Sequence, residues 1–82
     1  MSSAMARPNE PQAALGSALR QLREKRDLTQ EAVAHEAGIT TGSLSLIERG
    51  QRNPSWGTVS RIAAALGSSM GEVGRLADKL LN

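Results

Sequence analysis

Residues 28–50 constrain the fold most, because two short runs of helical apolar spacing are separated there by a single turn-forming glycine. Thr29 is a good N-cap for the first run, since its hydroxyl group can accept a hydrogen bond from the first helical turn. The apolar residues of this run fall three and four positions apart, on one helix face: Val33, Ala34 and Ala37. Gly38 adopts a positive φ at little cost and therefore ends this helix.

The second run also begins with an N-cap and ends with a glycine. Thr40 caps it, and Gly50 ends it. Leu44 and Ile47 form its buried side, while Ile39 lies before it as an apolar plug in the turn. Two short helices joined in this way form a helix-turn-helix, a motif whose second helix enters the major groove of DNA.

The whole chain has the spacing of helices. The two helices of the motif span about residues 30–37 and 41–49. A first helix over residues 13–26 carries a core stripe of leucine and alanine: Leu15, Ala18, Leu19 and Leu22. A fourth helix over residues 55–66 carries another: Val59, Ile62, Ala63 and Leu66. A fifth, over residues 69–81, opens with a capping-box pattern. No segment alternates like a strand, so an all-α, five-helix fold is predicted.

The 82 residues suffice for one small domain, which we expect at residues 13–82. Residues 1–12 lack apolar periodicity and contain two prolines, so they are expected to form a disordered leader. The alternative is an arm that reaches into a DNA minor groove with Arg7.

Composition excludes several classes of function. The chain has no cysteine and no tyrosine, and its single histidine, His35, is expected on the exposed side of its helix. Because no nucleophile–base pair or metal-ligand cluster can be assembled, we expect no enzyme, metal site or cofactor. No small-molecule ligand is expected either. The net charge of +2 is compatible with nucleic-acid binding but does not require it. No apolar run could span a membrane and no signal peptide is visible, so a cytoplasmic protein is expected.

Three stretches of the chain together form one recognisable pattern. They are Leu28-Thr29-Gln30-Glu31 with Val33-Ala34, Gly38-Ile39 with Leu44 and Ile47-Glu48-Arg49-Gly50, and Asn53-Pro54-Ser55 with Val59, Ile62-Ala63 and Ala65-Leu66-Gly67. The pattern resembles the Cro and lambda-repressor-like family, also called the XRE family, over roughly residues 13–81. The resemblance implies a compact lambda-repressor-like domain that binds DNA and regulates transcription. Small stand-alone proteins that look like this include restriction–modification controller proteins, phage Cro-type repressors and compact bacterial regulators, which the residues do not separate.

The outward face of the second motif helix is predicted to read the bases. It carries small polar and apolar side chains: Thr41, Gly42, Ser45 and Leu46. Long amides and arginine, which give the strongest direct readout, are missing from its first two turns. Part of the specificity is therefore expected from apolar contacts, bound water or DNA shape. The alternative for Ser43 and Ser45 is that they are merely solvated helix residues.

A second set of residues is predicted to contact DNA phosphates. The resemblance implies this role for Gln30, which also supports the recognition helix, and the free N–H groups at its helix start favour a phosphate there. The loop behind the recognition helix is basic and polar, as phosphate contacts require. The full predicted set is Gln30, Thr40, Ser43, Arg49, Gln51, Arg52, Asn53 and Ser55.

Two predictions concern structure rather than DNA contact. The resemblance implies a partly buried ion pair between Arg23 and Glu48 that ties the first helix to the recognition helix. The alternative is two unrelated surface charges. Trp56 is expected to cover the core at the start of the fourth helix, because a base-stacking role would require several aromatic residues.

The fifth helix has more apolar residues than one face of a small domain needs. We expect a symmetric homodimer through Met70, Val73, Leu76, Ala77 and Leu80. The predicted function is a dimeric, sequence-specific regulator on a palindromic operator. One alternative is that these residues close the core of the monomer. Another is a protein-binding module of antitoxin or anti-repressor type, whose fifth helix binds a different protein.

Overall fold

The computed structural model describes residues 10–81, and the predicted all-α fold is confirmed there. Five helices follow one another: α1 (Pro11–Lys25), α2 (Gln30–Ala37), α3 (Thr41–Glu48), α4 (Trp56–Ala65) and α5 (Met70–Leu81). No strand occurs in this part of the chain. None of these helices is both long and apolar enough to cross a lipid bilayer.

The start of α1 corrects the predicted leader. Pro11 is its first residue, because proline has no N–H to lose at a position where the N–H would lack a helical partner. Gln12 lies in the same turn, and its side-chain amide donates to the carbonyl of Gly50. Residues 11 and 12 are therefore helical rather than disordered, Glu10 is the N-cap residue of α1, and residues 1–9, including Arg7, lie outside the described residues.

The predicted N-caps form as expected. Thr29 Oγ1 accepts a hydrogen bond from the Ala32 amide at 3.0 Å, and Thr40 Oγ1 accepts one from the Ser43 amide at 3.0 Å. Ser55 and Ser69 cap α4 and α5 in the same way. Each cap satisfies an amide that the helix itself leaves without a partner, which is worth about 1 kcal/mol.

One core joins all five helices. Helix α1 packs against α3 and α5, and α2 packs against α3 and α4. The largest fully buried side chains come from all five helices and from the residue that directly follows α4: Leu19, Val33, Leu44, Ile62, Val73 and Leu66. These are the positions that the helical spacing predicts, except that α5 also belongs to the core.

Gly16 allows α1 to approach the end of α3 more closely than any other residue could. A Cβ atom at this position would lie 2.9 Å from the carbonyl oxygen of Glu48 and closer still to that of Ile47. Gly16 thus sets the distance between α1 and α3. In the sequence, a glycine within a helix indicates only a weak helix former and does not reveal this role.

The expectation for Trp56 is wrong, because this residue is 75% exposed. Trp56 is the first residue of α4, and the core side of that helix starts one turn later, at Val59. The indole ring instead borders an apolar cavity of about 220 Å³ lined by residues of α1, α4, α5 and the preceding loop: Leu15, Pro54, Trp56, Val59, Met70, Val73 and Gly74.

The predicted dimer interface is also wrong for Val73, which is 2% exposed within the monomer. Met70 and Leu76 are partly buried against the same core. The reason is that α5 lies along α1 and supplies part of its cover, so the apolar stripe of α5 is used mainly inside the monomer. Ala77 and Leu80 keep partial exposure.

Candidate nucleic-acid interface

The turn between α2 and α3 places the two helices as a helix-turn-helix. Gly38 has φ 74°, and the Ile39 amide donates to the carbonyl of Ala34 at 3.0 Å. Ile39 packs against the core, so its side chain anchors the turn. This is the C-terminal turn that a glycine after the last helical residue favours.

Helix α3 has one buried face and one open face. Leu44 and Ile47 are buried in the core. Thr41 and Gly42 are exposed, whereas Ser45 and Leu46 are half-buried. The four residues predicted to read bases thus have surface available at the start and middle of α3, and their contact with bases stays a prediction.

A buried ion pair holds α3 against α1. Arg23 Nε donates to Glu48 Oε2 at 2.7 Å, and Arg23 Nη2 donates to Glu48 Oε1 at 3.1 Å. The Arg23 side chain is 13% exposed and that of Glu48 is 2% exposed. This bidentate geometry restricts both the distance and the orientation of the two helices.

Arg23 also contacts the start of the motif. Its Nη1 donates to the carbonyl of Leu28 at 2.8 Å, so one guanidinium connects α1, the turn before α2 and α3. The hydrogen bonds to Glu48 raise the pKa of Arg23 above its ordinary value, against the opposing effect of partial burial. Arg23 therefore keeps its charge throughout the neutral range, and its contribution to stability would be lost only at strongly alkaline pH.

Gln30 completes the cluster from α2. Its Nε2 donates to Glu48 Oε1 at 2.9 Å, so the carboxylate receives hydrogen bonds from both neighbouring helices. This bond accounts for the support of α3 that the resemblance implies for Gln30. The second amide hydrogen and the carbonyl oxygen of Gln30 lie on the half-exposed side chain and can serve another partner.

The loop behind α3 begins with a fixed turn. Gly50 has φ 74°, its amide donates to the carbonyl of Ile47 at 3.0 Å, and the Gln51 amide donates to that of Leu46 at 2.9 Å. The loop side chains that were predicted to grip phosphates are all exposed: Arg49, Gln51, Arg52, Asn53 and Ser55. Arg52 turns back to α3, where its Nη1 donates to Ser43 Oγ at 2.7 Å.

The general family model for a helix-turn-helix domain matches residues 14–77, most of the chain. The chain belongs to the XRE-like helix-turn-helix family. Members of this family are DNA-binding transcriptional regulators and not enzymes.

Two relatives illustrate the range of this helix-turn-helix family. The control protein C.MunI of a Mycoplasma species is 36% identical over 66 residues, which cover 79% of this chain and 89% of that protein. An uncharacterised HTH-type transcriptional regulator of Mycobacterium tuberculosis is 41% identical over 61 residues. That match covers 74% of this chain, and the chain spans only 24% of the length of the mycobacterial relative.

A solved structure has the same helix arrangement. The clp gene regulator ClgR of Corynebacterium glutamicum superimposes with a TM-score of 0.88 at 29% sequence identity. The match covers 95% of this chain and all of that one. The helix-turn-helix and the helices around it are therefore arranged in the same way in this chain and in ClgR.

One residue that positions the motif has no signal in the sequence. Arg61 of α4 donates from Nε to the carbonyl of Ala37, the last residue of α2, at 3.0 Å. This carbonyl lies at the negative end of the α2 dipole and would otherwise need water as its partner. Residues 37 and 61 are 24 positions apart in the sequence, so only the packing of α4 against α2 brings them together.

Proposed function

We propose that this chain is a sequence-specific transcriptional regulator that binds a palindromic operator as a homodimer, with α3 in the major groove. The observation that supports this most is the cluster of Arg23, Gln30 and Glu48. It orients α3 from behind with buried, charge-assisted hydrogen bonds, and it leaves the opposite face of the helix open. Fixed orientation is what a base-reading helix needs, because each contact depends on the register of the helix in the groove.

The proposed base-reading face consists of Thr41, Gly42, Ser45 and Leu46. The hydroxyl groups can exchange hydrogen bonds with base edges, and the methyl groups of Thr41 and Leu46 can contact thymine methyls. A Cβ at Gly42 would meet no atom within 4 Å, so nothing in the monomer requires a glycine there for space. Close approach of the α3 backbone to DNA would give such a requirement.

The proposed phosphate contacts surround this face. Thr40 and Ser55 are the N-caps of α3 and α4, so their hydroxyl groups lie beside the free N–H groups of a helix start. Gln30 retains donor capacity beside its bond to Glu48. Arg49, Gln51 and Asn53 are exposed in the loop, where neutralising a phosphate adds salt dependence to binding but no base preference.

The homodimer is proposed through the surface around Trp56. A large, exposed indole ring borders an apolar cavity of about 220 Å³, so one patch offers both a projecting group and a depression. A two-fold interface requires such a self-complementary patch, because the same surface is used by both copies. The occupant we propose is a second copy of this chain, which would set two α3 helices about 34 Å apart on one face of DNA.

Selection of duplexes from a randomised pool tests the proposed function. The wild type should enrich an inverted repeat, and the double variant Thr41→Ala/Ser45→Ala should bind that repeat at least about tenfold more weakly while binding random DNA unchanged. Equal loss on both DNAs would contradict the assignment of α3 as the reading helix.

The oligomeric state distinguishes the two candidate classes of partner. Light scattering of the purified chain should give twice the monomer mass under the proposed function. A wild type that stays monomeric and becomes stable only beside a co-expressed neighbour would favour the protein-binding alternative, in which α5 binds a different protein.

A further inference from the structure

We propose that Arg52 reads a guanine in the operator half-site and that Ser43 positions it to do so. This inference rests on the proposed function and changes the role of both residues, which the sequence suggested as phosphate contacts. Arg52 would supply the long donor side chain that the readout face of α3 lacks.

The first support is the course of the loop. The turn at Gly50 is fixed by its hydrogen bonds to the end of α3 and by the side chain of Gln12, and its backbone lies against Ala13 of α1. Arg52 follows this turn by two residues. Its backbone position is therefore determined by the packing of α1 against α3, as is appropriate for a residue that must meet one base.

The second support is the direction of the Arg52 side chain. Its Nη1 donates to Ser43 Oγ at 2.7 Å, which brings the guanidinium from the loop to the first half of α3. Ser43 directly follows Gly42, and Thr40 caps the same turn. This is the end of a recognition helix that lies nearest to base edges.

The third support is the chemistry that remains. A guanidinium has several N–H donors in a planar fork, and the bond to Ser43 uses only part of them. The fork matches the O6 and N7 acceptors of guanine in the major groove, the commonest specific contact of arginine with DNA. The same fork can also bind a phosphate, so the observation that favours a base is the position of the guanidinium beside the first half of α3, where base edges are nearest.

The test compares the sequences selected from a randomised pool by the wild type, Arg52→Gln, Arg52→Lys and the control Lys79→Gln, which removes a charge from an exposed position of α5. The wild type and the control should select the same half-site with one required guanine. Arg52→Gln should lose the preference for that guanine, and the ratio of selected to random DNA binding should fall about 5- to 150-fold. Arg52→Lys should keep part of the preference, because an ammonium group can also donate to guanine but lacks the planar fork.

Two further measurements separate contact from positioning. Replacing the required guanine by 7-deazaguanine removes the N7 acceptor, so it should weaken binding by the wild type and leave Arg52→Gln unaffected. Ser43→Ala should reduce the guanine preference, and Ser43→Thr, which keeps a hydroxyl group, should restore it. Neither Ser43 variant should change binding in the Arg52→Gln background.

The opposite results would overturn the inference. If Arg52→Gln selects the same guanine and only lowers the salt dependence of binding by about one unit, Arg52 is a phosphate contact. If Ser43→Ala weakens binding to selected and random DNA equally, Ser43 does not position Arg52. A wild type that selects no sequence would instead contradict the proposed function itself, so the two failures are distinguishable.

Discussion

Glu48 determines the position of α3 through a few hydrogen bonds that its carboxylate accepts. Its carboxylate is almost fully buried and receives hydrogen bonds from Arg23 of α1 and Gln30 of α2. A buried charge is stable only when its partners are complete, because the interior cannot replace the water that was lost. The same dependence makes Glu48 sensitive to substitution.

Glu48→Gln should lower the free energy of unfolding by about 3 kcal/mol, because it leaves the largely buried Arg23 without a counter-charge. Chemical denaturation measures the change. The control Glu24→Gln removes the partner of Arg20 in an exposed pair, 60% and 51% exposed, and should cost at most about 0.5 kcal/mol. Equal losses in the two variants would show that burial does not govern the Arg23–Glu48 pair.

Gly16 acts through the absence of a side chain. In an exposed part of a helix, Gly→Ala gains up to about 1 kcal/mol. At Gly16 the new methyl group would overlap the carbonyl oxygens of Ile47 and Glu48, which are backbone atoms and cannot rotate away. The steric cost therefore exceeds the gain in helix propensity.

Gly16→Ala should be destabilised by about 2 kcal/mol net, since overpacking of this kind costs up to about 3 kcal/mol. Gly42→Ala is the matched control, because its Cβ meets no atom within 4 Å and the variant should be as stable as the wild type or more so. Thermal unfolding of both variants checks this prediction. A Gly16→Ala variant more stable than the wild type would contradict the close approach of α1 and α3.

At the scale of elements, α2 is held at both ends. Thr29 caps its N-terminus, and Arg61 of α4 binds the carbonyl of Ala37 at its C-terminus. With only two turns, α2 would not persist as an isolated helix, since helices of this length are marginal in water. Its stability depends on these end contacts and on packing, and the geometry of the motif depends on α2.

Arg61→Met should lower the free energy of unfolding by about 1 kcal/mol. The variant keeps most of the aliphatic stem but loses the charged donor to the Ala37 carbonyl and its interaction with the α2 dipole. The control Arg75→Met removes an exposed arginine from the interior of α5 and should change stability less. Hydrogen exchange of the α2 amides should increase in Arg61→Met alone.

At the scale of the whole molecule, the apolar surface at Trp56 is the main feature that the monomer leaves exposed to water. A single exposed tryptophan is tolerated in a monomer, but here it adjoins an apolar cavity between α1, α4 and α5. Covering this surface would stabilise the molecule by removing apolar area from water, at about 25 cal/mol for each Å². Dimerisation would also bring a second reading helix.

Trp56→Glu should convert the proposed dimer to a monomer without unfolding it, because the side chain is exposed in the monomer. Ser60→Glu adds the same charge to another exposed position of α4 and should remain dimeric. Sedimentation velocity measures the oligomeric state, and circular dichroism verifies the fold. An intact Trp56→Glu dimer would require a different interface, such as the partly exposed side of α5 at Ala77 and Leu80.

Predictions from the sequence were most accurate where the interaction is local. The caps at Thr29 and Thr40 and the turn at Gly38 each depend on residues within four positions, so a short window contains all the necessary information. The core stripes follow for the same reason, because helical periodicity defines which face is apolar. Asp27 is an exception: it adopts φ 56°, which its residue type permits but does not specify.

Predictions failed where a neighbour decides the outcome. Val73 and Trp56 are both apolar, yet Val73 is buried by packing of α5 on α1 and Trp56 extends past the core. Apolar character predicts that a residue gains from burial, but it does not identify the surface that buries it.

By itself the sequence determined the identity, order and approximate limits of the helices, and with them the helix-turn-helix, because capping and apolar spacing act within one turn. The family resemblance implied that Arg23, Glu48 and Gln30 support α3, but only the tertiary structure decided which atoms bond to one another and which other side chains lie near the motif. The contacts of Gln30 with Glu48, Arg61 with Ala37 and Arg52 with Ser43 join residues from different elements. Their donors and acceptors become neighbours only after the helices have packed, so no local pattern encodes them.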